Sequence, residues 1–385
     1  MKRVLAILLA AAMSLSLLAG CSKSSGTTTA DTGSTSATTS TSATTSSTVE
    51  IPTFTYGLSI WGNSDAHGYG VDKACSWPTQ VGGTFVEDFG AYDADAQIAS
   101  CEKLINAGCD FIVFCAYCGE SIIPSVASLC QQNEVYFAIW DTTITDSSIQ
   151  TMLDSNPYFC GTTNEDGYTG GYKEVQALAE QGATDFVFIK YAEGVATCDD
   201  RLEGAEAAIK ELGLKESYVM TAPDDVKKAV QDVLTNYPDV NAVVSLGGSS
   251  TYMAPMAEAI AAVGKTGQIY TASFDYYDGM DTDLSSGAAT VVAGGHICTG
   301  FYACIMCLSA MMGSPVNSER AQLAIPYIYC TSTYVLSDYN TYVVGDTPAY
   351  TADNIKTLLS CSFDQLQTYA NNWTVENAKA GTLVK

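Results

Sequence analysis

The chain has 385 residues, a formal net charge of −25, 47% hydrophobic residues and 14 cysteines. This length accommodates about two domains, each with enough apolar residues for a core. The acidic charge argues against a partner that is a nucleic acid or an acidic lipid headgroup. The cysteines are too sparse for a small disulfide scaffold, which favours free buried thiols.

The N-terminus has the pattern of an export signal. A basic Lys2-Arg3 pair precedes the apolar run Val4–Leu18, which is too short for a stable membrane span. The sequence Leu-Ala-Gly-Cys that ends at Cys21 resembles the bacterial lipobox, in which cleavage leaves a lipidated cysteine. We therefore expect residues 1–20 to be a signal peptide and Cys21 to anchor the protein on the extracytoplasmic face of the cell membrane. An ordinary secretory signal followed by an incidental cysteine is the alternative.

A segment of low sequence complexity follows the lipobox. Residues 21–50 are mostly Ser, Thr, Ala and Gly, which bury too little apolar surface to offset the entropy of ordering the chain. We expect a flexible linker between the anchor and the folded body.

From residue 51 onward, short apolar runs alternate with longer helical runs. Runs that are apolar on both faces, such as Phe111–Cys115, are typical of parallel strands covered by helices on each side. The sequence predicts strands at Phe54–Ile60, Thr84–Phe89, Phe111–Cys115, Val135–Trp140, Asp185–Lys190, Ser217–Thr221, Ala242–Leu246 and Ile269–Phe274. It predicts helices at Asp93–Ala107, Ser121–Gln132, Gly167–Gln181, Arg201–Leu212, Asp225–Asn236, Tyr252–Val263, Thr351–Leu359 and Phe363–Ala378. The expected fold is α/β, with two doubly wound parallel-sheet lobes joined by a hinge.

Short motifs in a fixed order are similar to type I periplasmic binding proteins, the ribose-binding-like group. They are Ile60–Asn63, Asp93–Gln97, Leu104–Val113, Phe137–Asp141, Cys160–Asn164, Gly170-Gly171, Asp200–Gly204, Asn236–Val244, Ser273–Asp275 and Ala289–Val292. The resemblance implies two lobes that close around a small polar ligand, often a monosaccharide, and deliver it to an ABC importer.

The domain organisation follows from this pattern. Residues 158–164 near the midpoint predict a short connector between the lobes. We expect an N-terminal lobe from residues 51–160 and 295–328, a C-terminal lobe from residues 161–294 and 329–345, and a helical extension over residues 346–385. The apolar stripe of this extension, which includes Leu366 and Trp373, predicts that it packs back on the body, and docking across the hinge is one arrangement.

Three charged residues are candidates for the ligand site. The resemblance implies that Asp141 and Asp275, each directly after a predicted strand, accept hydrogen bonds from ligand hydroxyls, and that Arg201 donates to the ligand. The alternative for both aspartates is a helix cap or turn. For Arg201 the alternative is an ion pair with a neighbour in sequence, namely Asp199, Asp200 or Glu203.

Aromatic and polar residues complete the candidate site. Trp61 ends the first strand and predicts an indole in the cleft, and Asn63 belongs to the same motif. Trp140 precedes Asp141 and either stacks on the ligand or points into the interior of the lobe.

The sequence departs from the ribose binders at several positions. Thr142 stands where an arginine is usual, Gly247-Gly248 replaces an asparagine, and Gly294-Gly295 replaces a glutamine, with His296 close behind. These changes predict open space and a ligand larger or flatter than ribose, such as a hexose, a disaccharide or a nucleoside. Gly247 and His296 are therefore also assigned to the ligand site.

Catalytic motifs are weak. The chain has two histidines, His67 and His296, and no Gly-x-Ser-x-Gly elbow, so we expect a binding protein without catalytic residues. Gly264-Lys265-Thr266 imitates a phosphate loop, but Ala259 replaces its first glycine. We expect no cofactor and no nucleic-acid partner. A ligand-sensing subunit docked on a membrane receptor is the alternative function, and an extracytoplasmic enzyme is a third.

Two cysteine pairs have metal-like spacing. Cys304 and Cys307 lie in an apolar helical run, where core packing explains them. Cys115 and Cys118 follow a strand and fit a disulfide, a metal half-site or two small loop residues. No partner cluster accompanies them, and the sequence predicts no metal site.

Overall fold

The structure is a computed structural model, and it describes residues 50–314 and 322–385. The predicted signal peptide, Cys21 and nearly all of the linker lie outside the described residues. Within the two described ranges, no helix is both long enough and apolar enough to cross a membrane.

Two six-stranded sheets form the centres of two lobes. The first sheet has the order β11-β5-β4-β3-β1-β2 and is entirely parallel. Its strands are β1 (Phe54–Ile60), β2 (Gly83–Phe89), β3 (Phe111–Phe114), β4 (Tyr136–Trp140), β5 (Phe159–Glu165) and β11 (Gln322–Ile325). The second sheet has the order β12-β10-β9-β8-β6-β7, in which only β12 is antiparallel. Its strands are β6 (Asp185–Lys190), β7 (Lys215–Thr221), β8 (Ala242–Gly248), β9 (Tyr270–Phe274), β10 (Val291–Gly294) and β12 (Ile328–Cys330).

Helices connect and cover the strands. They are α1 (Ala66–Ser76), α2 (Ala94–Asn106), α3 (Ile123–Asn133), α4 (Ser147–Ser155), α5 (Gly167–Glu180), α6 (Ala196–Leu212), α7 (Val226–Asn236), α8 (Ser249–Ala262), α9 (Met280–Ser286), α10 (Cys298–Met311), α11 (Thr333–Tyr342), α12 (Ala352–Leu358), α13 (Phe363–Ala370) and α14 (Val375–Ala380). The doubly wound, two-lobed α/β fold expected from the sequence is confirmed.

The chain crosses between the lobes three times within the described residues. It crosses after Glu165, between β10 and α10, and between β11 and β12. The predicted connector over residues 158–164 is wrong, because that segment forms β5 of the first sheet. Its Gly-Thr-Thr-Asn run is polar, so it lacks the apolar pattern of a buried strand. The first lobe therefore extends to Glu165 rather than residue 160, and Ile328 already pairs in the second sheet.

The helical extension packs on the core of the first lobe. Tyr350, Leu366 and Trp373 are fully buried there. The Trp373 indole Nε1 donates to the carbonyl oxygen of Gly295 over 2.7 Å, so the extension holds one of the three crossings. The single helix predicted over residues 363–378 is wrong, since the chain breaks into α13 and α14 around Trp373.

Two glycines bring α5 and α6 into backbone contact. A Cβ added at Gly171 would lie 1.8 Å from the carbonyl oxygen of Arg201, and one added at Gly204 would lie 1.9 Å from that of Tyr168. Neither position therefore accommodates a side chain. This close approach fixes the helix that carries Arg201 against the helix that begins after the first crossing.

The cysteines of the described residues are all free. Cys304 and Cys307 on α10 are fully buried in the first-lobe core, which confirms that core packing explains their spacing. Cys115 is buried and Cys118 is partly exposed.

Candidate ligand-binding site

Three carboxylates lie at the carboxyl ends of strands from both sheets. Asp141 follows β4, Glu165 ends β5, and Asp275 follows β9. Both aspartates adopt positive φ values, 45° and 70°, a left-handed conformation that aspartate tolerates better than most residues. The strand ends of the two sheets thus direct carboxylates into one shared cleft, where ligands bind in open α/β sheets.

Arg201 on α6 joins these carboxylates from the second lobe. Its guanidinium donates to the carbonyl oxygen of Leu246 and to the hydroxyl of Tyr327, each over 2.8 Å. It stacks on the ring of Phe274 at 3.8 Å, and its Nη2 lies 3.7 Å from Glu165 Oε1. None of the predicted neighbours in sequence pairs with it.

Asp199 forms an ion pair with Lys190 rather than with Arg201. Asp199, one of the predicted competitors for Arg201, accepts instead from the ammonium of Lys190 over 2.6 Å. Arg201 is therefore free to face the cleft, held by a backbone carbonyl and a tyrosine hydroxyl.

Both histidines of the chain meet at Asp141. His67 Nε2 lies 2.9 Å from Asp141 Oδ2, and His296 Nε2 lies 3.7 Å from the same oxygen. The two imidazole rings stack with their centroids 4.4 Å apart. We call His67, Asp141, Glu165, Arg201, Asp275 and His296 the cleft cluster.

The cleft cluster changes the protonation of its members. Burial disfavours the charged His67 ring, but the hydrogen bond and charge of Asp141 outweigh it and raise the pKa of His67 to about 9. Burial raises the pKa of Asp141, against the contact with His67. Burial and the charge of Asp141 raise the pKa of Glu165 to about 7, although Arg201 opposes them. Burial, His67 and Arg201 hold the pKa of His296 well below its usual range, so its ring is neutral.

Trp61 forms an aromatic wall beside the cluster. Its indole is partly exposed, donates to Asp65 Oδ2 over 2.7 Å, and stacks at 5.9 Å on His67. Tyr117 and Tyr92 pack against its other sides, with ring centroids 5.5 and 6.1 Å away. This placement fits the predicted position of Trp61 in the cleft.

A groove of about 540 Å³ lies between the rims of the two lobes, and its lining includes none of the cleft-cluster residues. Asn63 and Tyr69 line it from the first lobe, and Tyr276 and Tyr277 line it from the second. Asn63 thus lies at the outer rim, where its amide donates to Asp72 over 3.1 Å. The volume lies within the range of pockets that hold small organic ligands.

Two predicted site residues lie behind the cleft surface. Trp140 is fully buried in the first-lobe core, with its ring 5.9 Å from that of Trp61. Gly247 is buried, and a Cβ added there would lie 2.5 Å from the ring of Tyr252 and 2.9 Å from that of Tyr191.

The open space predicted at the glycine pairs is absent from the described residues. Tyr191 and Tyr252 fill the space at Gly247, and a Cβ added at Gly294 would lie 2.7 Å from the ring of Tyr276. The expectation of open space is wrong, because tyrosine rings from α8 and from neighbouring loops occupy the volume that the small residues leave.

Sequence reasoning missed Glu165, Tyr327 and the role of His67. Glu165 follows from no prediction because the sequence predicts a connector rather than a strand at residues 158–164, although a carboxylate at a strand end is the signal that also marks Asp141. His67 and Tyr327 lie on a helix and a crossing segment, and only the tertiary structure brings them to the cluster.

A family model described as a periplasmic binding protein domain matches residues 65–299. The chain belongs to this family. No curated protein matches the sequence at a significant level.

Solved structures of periplasmic binding proteins share the fold. A periplasmic ribose ABC transporter protein from Conexibacter woesei is 15% identical with a TM-score of 0.64, covering 76% of this chain and 96% of that one. An arabinose binding protein from Geobacillus stearothermophilus is 16% identical with a TM-score of 0.62, covering 74% and 99%. A solute binding protein from Actinobacillus succinogenes with bound D-allose is 14% identical with a TM-score of 0.60, covering 72% and 98%. These relatives are described as binding proteins or transporter components rather than enzymes.

Proposed function

We propose that this periplasmic binding protein is an extracytoplasmic lipoprotein that captures a sugar or sugar-like molecule between its lobes and delivers it to an ABC permease. The observation that carries the proposal is the convergence of Asp141, Glu165 and Asp275 from two sheets on the guanidinium of Arg201. Carboxylates accept hydrogen bonds from hydroxyls and a guanidinium donates several at fixed angles, so the set suits a ligand rich in hydroxyls.

The surroundings of the cluster support a ligand with one flat face. Trp61 offers a partly exposed indole beside the polar groups, as a sugar ring requires for stacking. The groove lined by Tyr276 and Tyr277 lies at the rim between the lobes rather than at the cluster. A pentose, a hexose, a disaccharide and a nucleoside are therefore all compared in the test of this proposal.

A thermal-shift screen tests solute capture. Pentoses, hexoses, disaccharides, nucleosides and amino acids are compared, because a ligand bound only by the folded protein at 100 times its Kd stabilises it by about 2.7 kcal/mol. We expect a sugar or a nucleoside to raise the melting temperature by several degrees. Stabilisation by charged amino acids alone would overturn the proposal.

Variants test whether the best solute binds at the cleft cluster. Asp275→Asn and Arg201→Lys should weaken its binding at least tenfold in calorimetry, since each removes a charged or forked hydrogen-bonding group. Asp232→Asn is the matched control, because Asp232 lies in an exposed pair with Lys228 on α7. Equal affinities in all four proteins would refute the assigned site.

The anchor rests on the lipobox sequence that ends at Cys21. Acylation at this residue would keep the binding protein at the membrane beside its permease. The flexible linker would let the folded body move relative to the anchor. Cell fractionation tests this step, since Cys21→Ser should move the protein from the membrane fraction to the soluble extracytoplasmic fraction.

A further inference from the structure

The two histidines of the chain come together at one carboxylate, although more than 200 residues of sequence separate them. His67 lies on α1, Asp141 follows β4, and His296 lies on the crossing between β10 and α10. One ligand atom from each residue lies within 4.8 Å of the others. No other group of three such residues in the described ranges meets this condition.

The donor set has the chemistry of a transition-metal site. Two imidazole nitrogens and one carboxylate oxygen suit zinc and its neighbours in the first transition row. Donors about 2.1 Å from a tetrahedral ion lie about 3.4 Å from one another. The two distances from Asp141 Oδ2, 2.9 Å to His67 and 3.7 Å to His296, lie on either side of that value.

Buried polar atoms at the same place have no protein partner. Asp141 Oδ1 and His296 Nδ1 are both buried and make no hydrogen bond with the described residues. The His296 side chain is only 5% exposed and that of Asp141 10%. Unpaired buried polar atoms are costly, and an ion bound through Asp141 Oδ1 or His296 Nδ1 would give that atom the partner that the described residues do not provide.

The charge of the surroundings also favours a cation. Asp141, Glu165 and Asp275 face one another across the cleft, and Arg201 is the guanidinium that opposes them. A doubly charged ion between the histidines and Asp141 would balance this excess of carboxylates. Three protein ligands also leave a coordination position open toward the cleft.

We propose that His67, Asp141 and His296 bind a divalent transition-metal ion with zinc-like preferences at the inner end of the cleft. This site goes beyond the proposed capture of a solute, and it shares Asp141 with the proposed solute site. Cys115 and Cys118, the residues with metal-like spacing, are not part of it.

Cobalt titration of the untagged full chain tests the metal site without any solute. After treatment with a chelator, the protein is titrated with Co²⁺ and followed by visible absorption and calorimetry. We expect one ion per chain and no intense thiolate charge-transfer band, since the ligands are nitrogen and oxygen. A thiolate band, or no binding, would overturn the proposal.

Variants locate the ion. His67→Gln and His296→Gln should each weaken Co²⁺ binding at least tenfold, whereas Cys118→Ser should change it less than threefold. Asp275→Asn removes a nearby charge but no ligand atom, so it should weaken Co²⁺ binding less than either histidine variant does. Circular dichroism of the metal-free variants shows whether each one is folded, and either histidine variant alone decides the result if the other does not fold. Unchanged Co²⁺ affinity in a folded histidine variant would refute the site. Asp275→Asn should lose solute but keep metal, which separates failure of this proposal from failure of the proposed function.

Discussion

At the scale of single residues, Trp61 differs from the other three tryptophans of the chain. Trp77, Trp140 and Trp373 are at most 2% exposed, whereas Trp61 is partly exposed beside the cleft cluster. A quencher in solution should therefore reach one indole only. This makes Trp61 a reporter of access to the cleft.

Acrylamide quenching measures that access. We expect Trp61→Phe to remove most of the quenching of tryptophan fluorescence, and Trp77→Phe, the matched control, to leave it nearly unchanged. A bound solute that covers the indole should protect wild-type fluorescence as well. Strong quenching that persists in Trp61→Phe would show that the cleft wall is built differently.

The sequence predicted part of the candidate site, and the residues that it placed wrongly were misplaced for physical reasons. Asp141 and Asp275 were predicted as ligand residues because they follow strands and match positions of the similar family, and Arg201 because of the same resemblance; the structure brings the three side chains together. Trp140 and Gly247 were assigned to the ligand, yet both lie behind the cleft surface, because burial within a strand and the rings of Tyr191 and Tyr252 decide their surroundings.

At the scale of elements, the position of Arg201 depends on the contact between α5 and α6. Gly204 lies one turn after Arg201, and its missing side chain lets α6 touch the backbone of α5 at Tyr168. Close packing of α5 and α6 therefore explains why glycine stands at positions 171 and 204. A side chain at this contact would push the two helices apart.

Gly204→Ala should therefore destabilise the protein and displace Arg201. Its Cβ would lie 1.9 Å from a backbone carbonyl oxygen that cannot move alone. We expect a loss of about 3 kcal/mol in the free energy of unfolding, the upper end of what overpacking costs. Denaturant unfolding measures this loss, and solute calorimetry should show weaker binding.

Gly167→Ala is the control within the same pair of helices. A Cβ at Gly167 would lie 3.2 Å from Asp200 Cβ, so a small adjustment accommodates it. Its unfolding free energy should fall by less than about 1 kcal/mol. Equal losses in the two variants would mean that the helix contact is not the cause.

The positions of strands and helices could be predicted where the apolar residues repeat with a single period. The eight predicted strands all appear, because their apolar runs are bounded by helical ones. Four strands, β5, β10, β11 and β12, and the break between α13 and α14 did not follow. β5 is a polar strand that pairs through its backbone, and β10, β11 and β12 are only three or four residues long. The break accompanies Trp373, which is buried in the core of the first lobe.

At the scale of the whole molecule, the structure is a closed arrangement of charged groups. Arg201 is 5% exposed, and carboxylates from both lobes lie near it. Buried charges are costly, and Arg201 Nε makes no hydrogen bond with the described residues. A ligand that completes the hydrogen bonds of Arg201 would therefore stabilise the closed form.

The crossing segments determine how the lobes can separate. Gly295, at one crossing, has a φ of +65° and is held by Trp373 of the helical extension. A Cβ there would lie 2.8 Å from the ring of Tyr339 on α11, so this crossing is tightly packed. Opening should thus rotate the second lobe about a hinge that stays attached to the first.

Small-angle X-ray scattering of the chain with and without its solute tests this closure. Without solute, the cost of burying the charges of the cleft cluster should favour an open form, and a saturating solute that contacts both lobes should lower the radius of gyration. Asp275→Asn should remain open at the same solute concentration, whereas the surface control Asp232→Asn should close. A radius of gyration that does not change when calorimetry shows the wild-type site to be filled would mean that solute binding does not draw the lobes together.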